Sequence, residues 1–419
     1  MTRVLRPPAT RTSPRWLLAA PHRLHFFFGM LGIAAASLWW LAQLAARSAG
    51  SPFTLGLPPA WMHGWLMANA FLPFFMFGFL FTAGPKWLNV TPPAARDVRT
   101  PGVLALAALA LALAGAQVGL PLVAAAALLL AFAWSLLLAR FARLIRASRV
   151  HDRVHARLVL AAFAFGTLAH GAFAVGVVRL DARWIHAAET LTLWFFAAPV
   201  FVIVAHRLIP FFTANVVPFL DAWRPLWLLW SFVALAVGHG VLALPSAAAA
   251  PPLLGALRLA LDLGGAALLL FVAWRWGVVQ SLRNRLLAML HLGFLWLGLA
   301  FALYAWNDAV ELLGAASASI GLAPLHALAM GFFGTTMLAM VTRVTAGHSG
   351  RALVADAVTW LLFWTLQAAV LARLLVDAFP AQSVWLTLAA IALWCAAMLP
   401  WAVRCALIYL RPRPDGRPG

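Results

Sequence analysis

The chain has 419 residues, of which 64% are hydrophobic and only 10% charged, and its mean hydropathy is +0.93. That composition excludes a soluble globular protein. A net charge of +19 does not point to nucleic acid either, because the cations sit in short clusters between apolar runs, as membrane topology arranges them.

A span needs about 20 apolar residues, and taken in chain order the sequence predicts twelve helices, over 25–46, 61–83, 102–119, 121–140, 156–178, 184–206, 224–244, 253–274, 286–307, 322–342, 353–376 and 382–405. The fold class is therefore all-α and polytopic. The five arginines before residue 25 precede a run as long as a full span with no convincing small-residue cleavage site, so the first helix is read as retained. Between the third and fourth helices only AGAQVGLP, 114–121, marks a break. The expected organisation is a basic tail over 1–24, a transmembrane domain over 25–405 and a Pro/Arg-rich tail over 406–419, both tails disordered. Cys395 and Cys405 share the last helix, about 15 Å apart, too far for a disulfide.

Charge fixes the expected orientation. Of the 30 Lys and Arg residues, only Arg47, Arg179, Arg183, Arg258 and Arg373 fall on the side away from the N-terminus, leaving 25 on the other. The positive-inside rule then makes both termini cytoplasmic. The 21 tryptophans fall mostly near span ends, as interfacial belts do.

With orientation set, each histidine has a depth. The first, fifth and ninth helices carry His25, His155 and His291 near their cytoplasmic starts, and the second, sixth and tenth carry His63, His186 and His326 near their outer starts. That period predicts three four-helix units. Ionisable groups within lipid are functional candidates by default. His63 and His326 lie a few residues inside the outer boundary, where they either serve a cofactor, bond a neighbouring helix or sit in the wet interface. His186 and Glu189 share a helix face one turn apart. With His239 and the deeper His170 they form either a metal set or a polar cavity. Asp308 and Glu311, also one turn apart, are read as a solvated rim rather than a proton relay or cation site. Arg343, His348 and Arg351 cluster at the cytoplasmic end of the tenth helix, as anion-binding groups or as a topology anchor.

Three stretches carry a resemblance: GFLFTAGPKW at 78–87, RLIPFFTANVVP at 207–218, and HALAMGFFGTTMLAMVTRVTAGHSGR at 326–351. Together they resemble the NnrS family, bacterial inner-membrane proteins of the nitric oxide response that carry haem and copper. The resemblance implies a b-type haem, held without covalent attachment since no CxxCH exists, copper, and nitric oxide or a nitrosyl species as partner. The chain departs from the family's HxHE at the second helix, where it reads His63-Gly64-Trp65-Leu66. Twelve helices with outer histidines on helices two, six, seven and ten also resemble the catalytic subunit of haem–copper oxidases. That likeness implies an axial pair of His63 and His326, and a copper set of His186, His239 and His170 with Glu189 behind His186. The His-His pair and HPEVY-like run of that subunit are missing. Arg343, His348 and Arg351 would meet haem propionates or anionic lipid. Whether the protein turns over a substrate stays open. A proton- or metal-coupled transporter, or an accessory protein storing or delivering haem or copper, would use the same histidines.

Overall fold

The computed structural model describes residues 12–51, 53, 56–244 and 252–415. Among these residues are twelve helices long and apolar enough to cross a membrane, and no strand. They are α1 Pro21–Ser48, α2 Pro59–Leu88, α3 Ala95–Val118, α4 Leu120–Ala147, α5 Val154–Arg179, α6 Ala182–Ala214, α7 Leu226–Ala243, α8 Pro252–Arg275, α9 Arg285–Leu312, α10 Ala323–His348, α11 Ala357–Leu374 and α12 Pro380–Tyr409. The protein is a multi-pass membrane protein. The break between α3 and α4 is one extended residue, Gly119, with Pro121 in the next first turn. Gly115 makes that hairpin feasible, since a Cβ there would sit 2.8 Å from the Val123 backbone nitrogen.

Both chain ends lie on one face, as an even number of spans requires. The Ser13 N–H donates to the Leu410 carbonyl at 2.8 Å. Arg23, only 2% exposed, donates to the carbonyls of Trp16 and Tyr409, each at 2.8 Å, and to that of Arg411. A helix C-terminus leaves its last carbonyls without partners inside the helix, and the Arg23 fork supplies donors to the end of α12. This corrects the expected disorder for the described parts of the tails only. Pro14–Ala19 forms a short 3-10 helix, α1 begins at Pro21, and α12 runs to Tyr409. Residues 1–11 and 416–419 lie outside the described residues.

Packing repeats with a period of four spans. The pairs α1–α2, α5–α6 and α9–α10 pack together, as do α4–α5, α8–α9 and α12–α1, and as do the hairpins α3–α4, α7–α8 and α11–α12. The most buried spans include α2, α6 and α10, at 78%, 72% and 67% of their apolar windows, against 33% for α7 and α8. α9 is equally buried at 67%, but α2, α6 and α10 supply most of the lining of one internal cavity and so form the axis. Each is irregular at one level. α2 breaks at Ala70–Phe71, while α6 and α10 are π-helical over Leu191–Ala197 and Ala327–Gly334.

Aligning Pro85 of α2 with Pro210 of α6 brings that break onto the π segment. The same register holds in a cavity of about 80 Å³ on the axis. Its lining includes Phe75, Met76, Phe79 and Leu80 from α2, Val200, Phe201, Val204 and Ala205 from α6, and Thr336, Met337, Met340 and Val341 from α10. Three units of four helices are thus present in both packing and register. Several tryptophans depart from the expected belts. Trp134 is buried in mid-span, and the indole N–H groups of Trp394 and Trp401 tie α12 to Ser37 and Thr342.

Candidate functional site at the far end of the central helices

The irregular segments set where the far ends of α2, α6 and α10 point, because a π turn or a break rotates the two halves of a helix relative to each other. Beyond these segments the axial helices carry His63 on α2, His186 and Glu189 on α6, and His326 on α10. His63 stacks on Trp40 of α1, ring centroids 4.0 Å apart and planes 19° from parallel. Its Nδ1 is buried and has no hydrogen-bond partner among the described residues. His63 and His326 lie within electrostatic range of each other, and Arg373 of α11 lies within range of both. The His326 Nδ1 is bonded to the Leu322 carbonyl at 2.9 Å, which fixes the ring and turns Nε2 away from its own helix.

Glu189 belongs to this place as well. Its Oε1 lies 2.8 Å from where a Cβ on Gly64 would be, so the carboxyl reaches across to α2 beside His63. Glu189 also remains within electrostatic range of His186. The glycine at position 64 leaves the space that the carboxyl fills.

The donor chemistry here suits a planar metal macrocycle. There are two imidazoles, from α2 and α10, one with an orphaned buried nitrogen, an aromatic wall at Trp40, and a partly buried guanidinium at Arg373, 3.5 Å from Asp377. Arg343, His348 and Arg351 cannot serve that same group. Along α10, Arg343 is about 25 Å from His326. The three also diverge. The Arg343 guanidinium lies 3.9 Å from the centre of the Phe212 ring, whereas His348 packs 4.6 Å from His22. Arg351 lies past the end of α10, where burial lowers its pKa.

The expected copper set is dispersed. His186 is exposed, and its Nε2 is 2.9 Å from the Ala243 carbonyl at the end of α7. His239 is buried, with Nδ1 2.8 Å from Asp262 and the ring against Trp194 at 3.8 Å and Tyr304 at 4.5 Å. His170 is fully buried beside Trp134 and Trp65, both ring nitrogens without partners among the described residues. Among the described residues no three His, Cys, Asp or Glu side chains are grouped to hold a metal ion. These residues do not fit copper, since His186 lies against Ala243, His239 against Asp262 and His170 between Trp134 and Trp65, and the three do not converge.

On the termini face, His155 Nε2 and His206 Nδ1 are 3.1 Å apart, and His291 Nε2 bonds the Thr213 hydroxyl at 2.8 Å. His25 is buried among Phe28, Phe74 and Phe77. Asp308 departs from the solvated rim expected of it. It is 4% exposed and takes both a 2.9 Å bond and a second contact from the Arg258 guanidinium. Glu311 is exposed as expected, 3.2 Å from the same arginine.

Sequence reasoning passed over Asp262, Arg373 and Trp40. An aspartate in the middle of the apolar run LRLALDLGG was the available signal for the first. For the other two, nothing in one dimension shows that α1 and α11 flank the ends of α2 and α10.

Compared with protein families, residues 16–413 match the family model described as NnrS protein. No curated protein matches the chain.

Proposed function

The chain belongs to the NnrS family, and from that footing we propose that it is a haem-binding protein of the bacterial inner membrane that acts in the nitric oxide response. His63 and His326 hold the haem near the outer surface and Arg373 meets its propionates. The observation that carries this reading is the placement of His63 and His326, from spans far apart in sequence, within electrostatic range of each other and of Arg373. When bound, haem iron supplies a centre that takes nitric oxide or a nitrosyl species and exchanges electrons.

The protein's own contribution is positional. The Leu322 carbonyl fixes the His326 tautomer, Trp40 holds the His63 ring by stacking, and Glu189 places an acid beside them. Copper, also implied by the family, finds no donor set among the described residues, and no step is assigned to it. Both termini are assigned to the cytoplasm on the distribution of Lys and Arg.

Absorbance of the purified protein tests the reading. A Soret band is expected, lost in His63→Ala and His326→Ala and shifted by nitric oxide in the unsubstituted protein. A fully folded, colourless preparation from haem-replete cells would overturn it.

A further inference from the structure

The cavity on the axis has no part in the haem reading. Its lining follows the break in α2 and the π segments of α6 and α10 in sequence, so it lies inside the bilayer on the termini side of those segments. At one level the three axial helices present Leu80, Ala205 and Val341 to it. Ala205 is the smallest of these, and its methyl leaves on the α6 side a volume that a larger side chain would fill. Counted at helical rise, Leu72 of the lining is about 13 Å along α2 from His63.

Size and lining together select the occupant. Every lining side chain but one is aliphatic, aromatic or a thioether. The exception is Thr336 of α10, which is 5% exposed and whose hydroxyl has no hydrogen-bond partner among the described residues. A Cβ on Gly293 of α9 would lie 2.6 Å from that hydroxyl. An ordered water needs about two to four polar partners, and the lining side chains supply one. An apolar cavity of about 150 Å³ stays dry and takes benzene or xenon. At about 80 Å³ this one is too small for a ring or a length of acyl chain, and a small apolar gas molecule fits it.

We propose that the axial cavity is a gas-binding site for a small, weakly polar diatomic molecule. That the gas is nitric oxide rests on the function proposed above; that the cavity takes a gas does not. Such a molecule leaves water for an apolar chamber at little cost, because it breaks few hydrogen bonds in doing so. The Thr336 hydroxyl is the one group of the lining with a hydrogen bond left to give. The site holds the gas within the bilayer, apart from His63 and His326, so it is tested separately from them.

The test is NMR of the purified full chain with labelled methionine methyl groups, under rising xenon pressure. Met76, Met337 and Met340 line the cavity, whereas Met30 and Met398 are buried elsewhere and report the xenon dissolved in the detergent. The first three methyls should shift along a saturating curve, with no such curve for the other two. Dioxygen, a paramagnetic diatomic, should broaden the same three. Ala205→Leu, which fills the cavity, should abolish the saturating response. Val341→Ile, a smaller addition at the same level, should weaken it and guards against a variant that fails to fold. The response should persist in His63→Ala, which separates this site from the haem. No saturating shift at the three methyls, as when a lipid or detergent tail already occupies the cavity, overturns the proposal. Equal movement of Met30 and Met398, survival of the response in folded Ala205→Leu, or its loss in His63→Ala does so as well.

Discussion

Gly32 of α1 shows how much one side chain decides. A Cβ there would run into the Ala70 carbonyl oxygen, and Ala70 stands at the break in α2. Backbone cannot retreat as a flexible side-chain end can, so Gly32→Ala pushes α1 off α2. A cost of at least about 3 kcal/mol is expected, the upper part of the range for overpacking. It should be read as a lowered thermal midpoint, with no comparable change in Gly171→Ala, where a Cβ meets open space. In one dimension both are glycines in apolar spans. Only the neighbour separates them.

At the scale of the element, the π segments of α6 and α10 decide which side chains face the axis. A π turn accommodates an extra residue within an α-helix, so deleting one residue from Ala327–Gly334 should restore α geometry. It would also remove the wide turn next to His326 that sets how its side chain is presented relative to the rest of α10. The expected result is a protein that still elutes as a folded species but has lost the Soret band. Retention of the band after this deletion would mean that His326 does not hold the haem.

A second element, α11, is set by its cap. The Asp356 carboxyl accepts from the Thr359 N–H at 2.8 Å and from Arg404 of α12 at 2.6 Å. Burial alone would raise its pKa, but the bonds from Thr359 and Arg404 outweigh it and hold the group at about 2. The folded value lies below the unfolded one, so the cap stabilises above about pH 4. That contribution is lost as pH falls towards 2. Asp356→Ala should cost about 1 kcal/mol at neutral pH, and the difference in thermal midpoint should shrink as the solution is acidified through that window.

At the scale of the whole molecule, the ring of helices closes where α12 meets α1, and Arg23 is the bolt. Arg23→Ala removes the donors from the carbonyls of Tyr409 and Arg411 and should cost about 2–3 kcal/mol. Arg23→Lys should recover only part of it, because an ammonium lacks the planar fork. Limited proteolysis near the C-terminus would read the opening directly. Twelve spans, two ends on one face and a period of four were all legible beforehand, because span length, hydropathy and histidine depth are one-dimensional quantities. Not legible were the partners of Asp308, the scatter of His186, His239 and His170, and the separation of Arg343 from His348. Helix rotation decides each of these, and in a helix that is apolar on nearly every side no stripe records which side faces inward.

The sequence by itself determined that the chain lies in a membrane and how many times it crosses, because twenty apolar residues have no other stable place for their backbone than a spanning helix. The tertiary structure alone decided which imidazoles meet. His63 and His326 come within electrostatic range of each other although more than 260 residues lie between them in the chain. Asp262 meets His239 and Asp308 meets Arg258 because α7, α8 and α9 pack side by side. Such contacts arise from rotations about helix axes, and those are fixed by the fit of one surface against another.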